Sequence, residues 1–115
     1  MNFNYLDGFL KDLKKLKKKI PSLEGDLKNF EKFISSVDFD NNKRFVILVN
    51  DLQKRVRVIK TRLMVRSLKG SSKTRLIFSF SLKEDSIDFI EIYLKNEKSR
   101  EDSSKIDEYL NSLIF

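Results

Sequence analysis

The spacing of apolar residues changes near residue 45, and this change sets the fold class. Before it, apolar side chains recur every three or four residues, as on one face of a helix. They form two stripes: Phe9, Leu10, Leu13, Leu16 and Ile20, then Leu23, Leu27, Phe30, Ile34 and Val37. Pro21 ends the first helix, and Ser22 is positioned to cap the second. The short joint predicts a helical hairpin with both stripes facing one surface.

Beyond residue 45 the pattern favours strands. The run FVILV at 45–49 predicts a short strand or a buried turn, and β-branched alternation predicts strands over 56–66, 73–82 and 87–94. Ser103 can cap a last helix, whose apolar stripe is Ile106, Tyr109, Leu110 and Leu113. The order predicts one α+β domain over 1–115: an N-terminal helical hairpin packed on one face of a small antiparallel sheet, with a C-terminal helix.

The residue types that are missing exclude several chemistries. The sequence has no cysteine and no histidine, which removes disulfides, thiolate metal sites and Ser-His or Cys-His nucleophiles. Asp85, Asp88 and Glu91 form no recognisable metal-ligand pattern, so we expect no metal and no cofactor. No apolar run approaches the ~18 residues of a membrane span. Residues 1–20 carry six lysines where a signal peptide would have an apolar segment. We therefore expect a soluble cytoplasmic protein without a membrane partner.

Positive charge is concentrated in the middle of the chain. The net charge is +7 and the isoelectric point about 9.6. Residues 41–75 hold eleven basic residues against Asp51 alone, so this stretch is more positive than the whole molecule. A block of like charge repels itself and favours a polyanion or an acidic protein as partner, although a solvated basic face without a ligand is the alternative.

Strand alternation predicts where these cations meet. Ile59, Thr61, Leu63 and Val65 share one face of the first strand, whereas Lys60, Arg62, Met64 and Arg66 share the other. The polar faces of the first and second strands and the turn between them are predicted to form one surface. Its cations are Lys60, Arg62, Arg66, Lys69, Lys73 and Arg75. Such a face suits a phosphate backbone or an acidic peptide. RNA cleavage by attack of the 2′-hydroxyl needs a proton acceptor, a proton donor and cations, all of which such side chains can supply. Tyr93 could stack on a base or donate a hydrogen bond, or simply close the core.

Three segments carry a resemblance to a known family. They are FLKDLKKLKKKIPSLEGDL, RSLKGSSKTRLIFSF and IDFIEIYLKNEKSRED, and they follow one another over most of the chain, from residue 3 to about 110. In this order the sequence resembles the RelE/ParE superfamily of toxins from bacterial type II toxin–antitoxin modules. The resemblance implies a RelE-like fold with a cleft on the open face of the sheet. RelE-like members cleave mRNA, commonly in the ribosomal A site, without a metal, whereas ParE-like members inhibit DNA gyrase.

The resemblance also implies roles for single residues. Arg75 matches the arginine that opens the second strand and contacts the scissile phosphate, and Lys69 matches the lysine of the SLKG turn. We therefore predict a metal-independent mRNA endonuclease that acts on the ribosome, with two sets of site residues. The catalytic set is Lys60, Arg62, Arg66 and Arg75, and the RNA-binding set is Arg57, Lys69, Lys73, Tyr93 and Lys95. The expected partner is a small acidic antitoxin that covers the basic face. A gyrase inhibitor and an inactive RNA-binding relative remain alternatives.

Overall fold

The chain forms an α+β domain, as its apolar periodicity predicts. A computed structural model describes residues 1–67 and 73–113. The strands are β1 (Asn2–Tyr5), β2 (Val46–Asp51), β3 (Val56–Arg62), β4 (Thr74–Ser81) and β5 (Ser86–Leu94). The helices are α1 (Asp7–Lys17), α2 (Leu23–Ile34) and α3 (Ser103–Ser112), and a short 3₁₀ turn covers Phe39–Asn41.

The sheet has five strands in the order β1-β5-β4-β3-β2. β1 pairs with β5 in parallel, and the other neighbouring strands pair antiparallel. The sheet is therefore mixed, and a strand precedes the first helix, which corrects the predicted order of a helical hairpin followed by an antiparallel sheet. β1 is held by aromatic stacking, since the rings of Phe3 and Tyr5 lie 6.2 and 5.3 Å from that of Phe89.

The first two helices pack on one face of the sheet, as predicted. Their stripes bury Phe9, Leu13 and Leu16 from α1 and Leu23, Leu27, Phe30 and Ile34 from α2. These side chains form one core with sheet residues that include Ile59, Phe78 and Phe89. Ser22 occupies the N-cap position of α2, but its hydroxyl donates to the Asp26 carboxylate and makes no capping bond to the helix backbone.

The third helix packs on the opposite face. Ile106 and Tyr109 of α3 form a second core with Val58, Ile77 and Ile90, whose side chains point away from α1 and α2. The C-terminal helix therefore covers the face opposite the helical hairpin, because the sheet is apolar on both faces at this end and each face needs a cover. The N-cap of α3 is Asp102 and not Ser103: the Asp102 carboxylate accepts from the backbone N–H of Ser104 at 3.0 Å.

The strands lie close to their predicted positions, except at the end of β3. β4 and β5 begin and end within one residue of the prediction, but β3 stops at Arg62, four residues early. The FVILV run contributes the edge strand β2, preceded by the buried Phe45. The longest helix has 12 residues, and within the described ranges none has the length and apolar character needed to cross a bilayer.

A candidate anion-binding cavity

The strand register brings cations together on the face that α3 partly covers. Arg62 of β3 pairs directly with Arg75 of β4, and Arg75 pairs in turn with Tyr93 of β5. One step along the strands, Lys60 pairs with Ile77. Two like charges directly opposite each other destabilise a sheet unless something neutralises them. The Arg62–Arg75 pair therefore brings two positively charged side chains to one place on this face, where an anion would be attracted to both.

A cavity of about 630 Å³ opens at this point. It is lined by Lys43, Arg44, Val46, Lys60, Thr61, Arg62, Arg75 and Lys95. Of these described lining residues, six are cationic and none is acidic. We call this space the cationic cavity. Its volume falls in the range of pockets that hold small ligands, and its lining favours an anion.

Two arginines of the cavity, Arg75 and Arg44, are partly withdrawn from water. Burial lowers the pKa of Arg75, and the charge of Arg62 lowers this pKa further. Burial also lowers the pKa of Arg44, whose guanidinium lies 5.0 Å from the centre of the Phe33 ring and donates to the carbonyl oxygen of Arg62 at 2.9 Å. Both arginines stay protonated near neutral pH because arginine begins from so high a pKa. Because these two positive charges are partly buried, water screens them less, and this favours binding of a phosphate.

A carboxylate from outside the sheet reaches the same site. The ammonium of Lys60 donates to Oε1 of Glu101 at 2.8 Å, and this hydrogen bond is the main reason that the pKa of Glu101 is lowered. Glu101 comes from the segment between β5 and α3. No local pattern in the sequence points to Glu101 as a site residue, because Glu101 and Lys60 lie 41 positions apart.

The structure brings together four of the residues predicted for the site. Lys60, Arg62, Arg75 and Lys95 all line the cationic cavity. Arg66 lies elsewhere, contrary to the alternation argument, because β3 ends at Arg62. The Arg66 side chain donates through Nε to Oδ1 of Asp26 at 2.8 Å and belongs to the α2 side of the molecule.

Among the other predicted contacts, Tyr93 is the β5 partner of Arg75, whereas Arg57 and Lys73 lie away from the lining of the cationic cavity. Arg57 donates to Oδ1 of Asp40 at 2.7 Å, and its buried Nε has no hydrogen-bond partner among the described residues. Tyr93 is buried in the core beneath α3, and burial, followed by the charge of Glu101, raises its pKa. Lys73 is exposed just before β4, and Lys69 lies outside the described residues.

Comparison with known proteins assigns no family to the chain. No protein-family model matches the sequence, and no curated protein and no solved structure shows significant similarity to it. A function must therefore be argued from the cationic cavity and from the sequence patterns themselves.

Proposed function

We propose that the protein is the toxin of a type II toxin–antitoxin module and that it cleaves mRNA in the cytoplasm, on the ribosome. The cationic cavity would hold the scissile phosphate. The observation that carries the proposal is the direct pairing of Arg62 with Arg75 inside a cavity with six cationic lining residues. An arginine pair is suited to this task because each planar guanidinium can hold two phosphate oxygens at once.

The chemistry follows from the charge that develops during cleavage. When a 2′-hydroxyl attacks the adjacent phosphate, negative charge accumulates on the non-bridging oxygens of the phosphorane. Arg75 and Arg62 would stabilise that charge, and because both lie on paired strands, little reorganisation of the backbone would be needed. Lys60 and Lys95 lie at the same cavity and can bind the neighbouring phosphates or supply a proton.

The proposal extends to the fold and the partner. A RelE-like arrangement is supported by two features: α1 and α2 pack on one face of the sheet, and strand alternation puts Lys60, Arg62 and Arg75 of the cationic cavity on the other. An acidic antitoxin would cover this cavity, because its carboxylates would neutralise cations that otherwise repel one another. A short acidic protein that is encoded beside this gene and co-purifies with the chain would support the pairing.

Induced expression in bacteria tests the proposal. The wild type should arrest growth and create new 5′ ends in cellular mRNA, and Arg75→Gln should lose both, since removal of one such donor slows the chemical step by about 100-fold or more. Arg55→Gln is the matched control, because it removes the same charge from an exposed turn next to β3, at the end of that strand remote from Arg62.

Two outcomes for the wild type would each contradict the proposal. Growth arrest without new mRNA ends would exclude mRNA cleavage, and an accompanying SOS response would instead indicate a gyrase inhibitor. Normal growth with soluble, folded wild-type protein would exclude a toxin.

A further inference from the structure

Glu101 is a carboxylate that is hydrogen-bonded to Lys60, one of the cations lining the cationic cavity. Its side chain is 13% exposed, that of Lys60 is 29% exposed, and their hydrogen bond measures 2.8 Å. Lys60 and Arg62 lie on the same face of β3, about 7 Å apart along the strand. Glu101 is therefore connected, through its hydrogen bond to Lys60, to the strand that also carries Arg62.

The position of Glu101 is fixed by a second, buried carboxylate. Glu91 of β5 accepts from the backbone N–H of Asp102 at 3.0 Å, forms an ion pair with Lys98, and lies 3.7 Å from the ammonium of Lys105. These contacts attach the chain on both sides of Glu101 to the sheet. Asp102 then begins α3 as its N-cap. Glu101 is thus oriented by a network that begins in the protein interior, unlike an ordinary surface glutamate.

We propose that Glu101 accepts the proton of the attacking 2′-hydroxyl and that Lys60 donates the proton that the leaving oxygen requires. This inference rests on the proposed RNA cleavage. As the O2′–P bond forms, the hydroxyl proton passes to the Glu101 carboxylate. As the P–O5′ bond breaks, the departing O5′ takes a proton from the Lys60 ammonium. The products are a 2′,3′-cyclic phosphate and a 5′-hydroxyl end.

The hydrogen bond between the two groups also restores them. After one turnover Glu101 is protonated and Lys60 is neutral, and transfer of the proton from the carboxylic acid to the amine returns both to their starting states. No external acid, base or metal is needed for this cycle. The pair therefore supplies the acceptor and donor that arginine cannot supply, since arginine keeps its proton.

The electrostatics agree with these roles. Glu101 is ionised at neutral pH, because the hydrogen bond from Lys60 lowers its pKa. A phosphate that attracts the Lys60 ammonium weakens this bond, and the carboxylate then becomes a better base. Tyr93 is less suited as the acceptor, because burial raises its pKa and keeps the phenol protonated.

Single-turnover cleavage of a single-stranded RNA, free and on programmed ribosomes, tests the inference. Glu101→Gln keeps the shape of the side chain but cannot accept the proton, so we expect cleavage at least about 100-fold slower. Its affinity for the same oligonucleotide with 2′-deoxy sugars, which cannot be cleaved, should be unchanged or higher. Glu97→Gln is the matched control: it removes the same charge from the same segment, but Glu97 pairs with Lys19, away from the cationic cavity. It should cleave like the wild type.

Each outcome decides one of the two proposals. If the wild type cleaves and Glu101→Gln cleaves within about threefold of it, the inference is wrong but the nuclease proposal stands. If the wild type binds the RNA and never cleaves it, the nuclease proposal fails and the inference with it. Should Glu101→Gln not fold, Lys60→Arg decides, because it retains the positive charge and the ion pair but does not release a proton. Cleavage by Lys60→Arg at the wild-type rate would overturn the inference.

Discussion

Asp26 provides the most direct test of how the chain beyond β3 is held. Its side chain is 1% exposed and accepts three hydrogen bonds. The donors are the hydroxyl of Ser22 at 2.6 Å, the backbone N–H of Arg66 at 3.2 Å and Nε of Arg66 at 2.8 Å. The carboxylate thereby joins the start of α2 to the segment that leaves the sheet. Arg66, by contrast, has a side chain that is 68% exposed.

Because Asp26 is buried and Arg66 is exposed, we expect substitutions of the two residues to lower the free energy of unfolding by different amounts. Asp26→Asn replaces one acceptor oxygen by a buried NH₂ group that faces donors and finds no acceptor, so we expect the free energy of unfolding to fall by about 3 kcal/mol. Arg66→Gln removes an ion pair that water screens on one side, at a cost of about 1 kcal/mol. With a urea slope of about 2 kcal/mol/M, Asp26→Asn should lower the urea midpoint by about 1.5 M.

Urea unfolding followed by circular dichroism at pH 7 measures both costs, and the double variant measures their coupling, which should be about 1 kcal/mol. RNA cleavage by Arg66→Gln should equal that of the wild type, because Arg66 contacts Asp26 and does not line the cationic cavity. An Asp26→Asn variant within about 0.5 kcal/mol of the wild type would refute the structural argument. A loss of cleavage in Arg66→Gln as large as that in Arg75→Gln would place Arg66 in the site, as strand alternation predicts.

Two further predictions concern stability. Phe89→Ala should lower the free energy of unfolding by about 3–5 kcal/mol, since the fully buried ring stacks on three others and leaves a cavity; an unfolding midpoint close to that of the wild type would contradict this. Tyr109→Phe should cost about 1 kcal/mol near neutral pH, because it removes the 2.6 Å hydrogen bond to Asp88. Burial raises the pKa of Tyr109 in the folded state, so the phenol of the unfolded chain loses its proton at a lower pH than that of the folded protein. The contribution of protonated Tyr109 to stability is therefore present below about pH 10 and is lost above it. Urea midpoints at pH 9 and pH 11 should therefore fall more steeply in the wild type than in Tyr109→Phe, and equal slopes would contradict the assignment.

Apolar periodicity predicted the elements that bury one continuous face. The stripes of α1 and α2 and the alternation of β3, β4 and β5 are visible because each element contributes to a core over several turns or residues. The same signal extended β3 too far. Leu63 and Val65 are buried although they follow the strand, so alternation reported burial correctly but strand pairing incorrectly.

The features that the sequence did not reveal depend on distant partners. β1 has four residues, and it becomes a strand by pairing with Ser86–Phe89 at the other end of the chain. The stripe of α3 shows which side of the helix is apolar but not which face of the sheet it covers. Asp102 could not be distinguished from Ser103 as the N-cap, because both residue types serve equally well. Glu101 contacts Lys60 from a segment 41 positions further along the chain, a contact that no local pattern in the sequence reveals.

The net positive charge of residues 41–75 does not lie on a single surface of the folded protein. The fold disperses part of that charge: Arg57 donates a hydrogen bond to Asp40, Arg66 donates one to Asp26, and the ammonium of Lys54 donates to the carbonyl oxygen of Leu110. The cations that remain together line the cationic cavity, and there a carboxylate from a different part of the chain, Glu101, meets one of them. A site that only bound phosphate would bind it more tightly without this carboxylate. A site that moves a proton needs such an acceptor, and for that reason we interpret the cavity as catalytic.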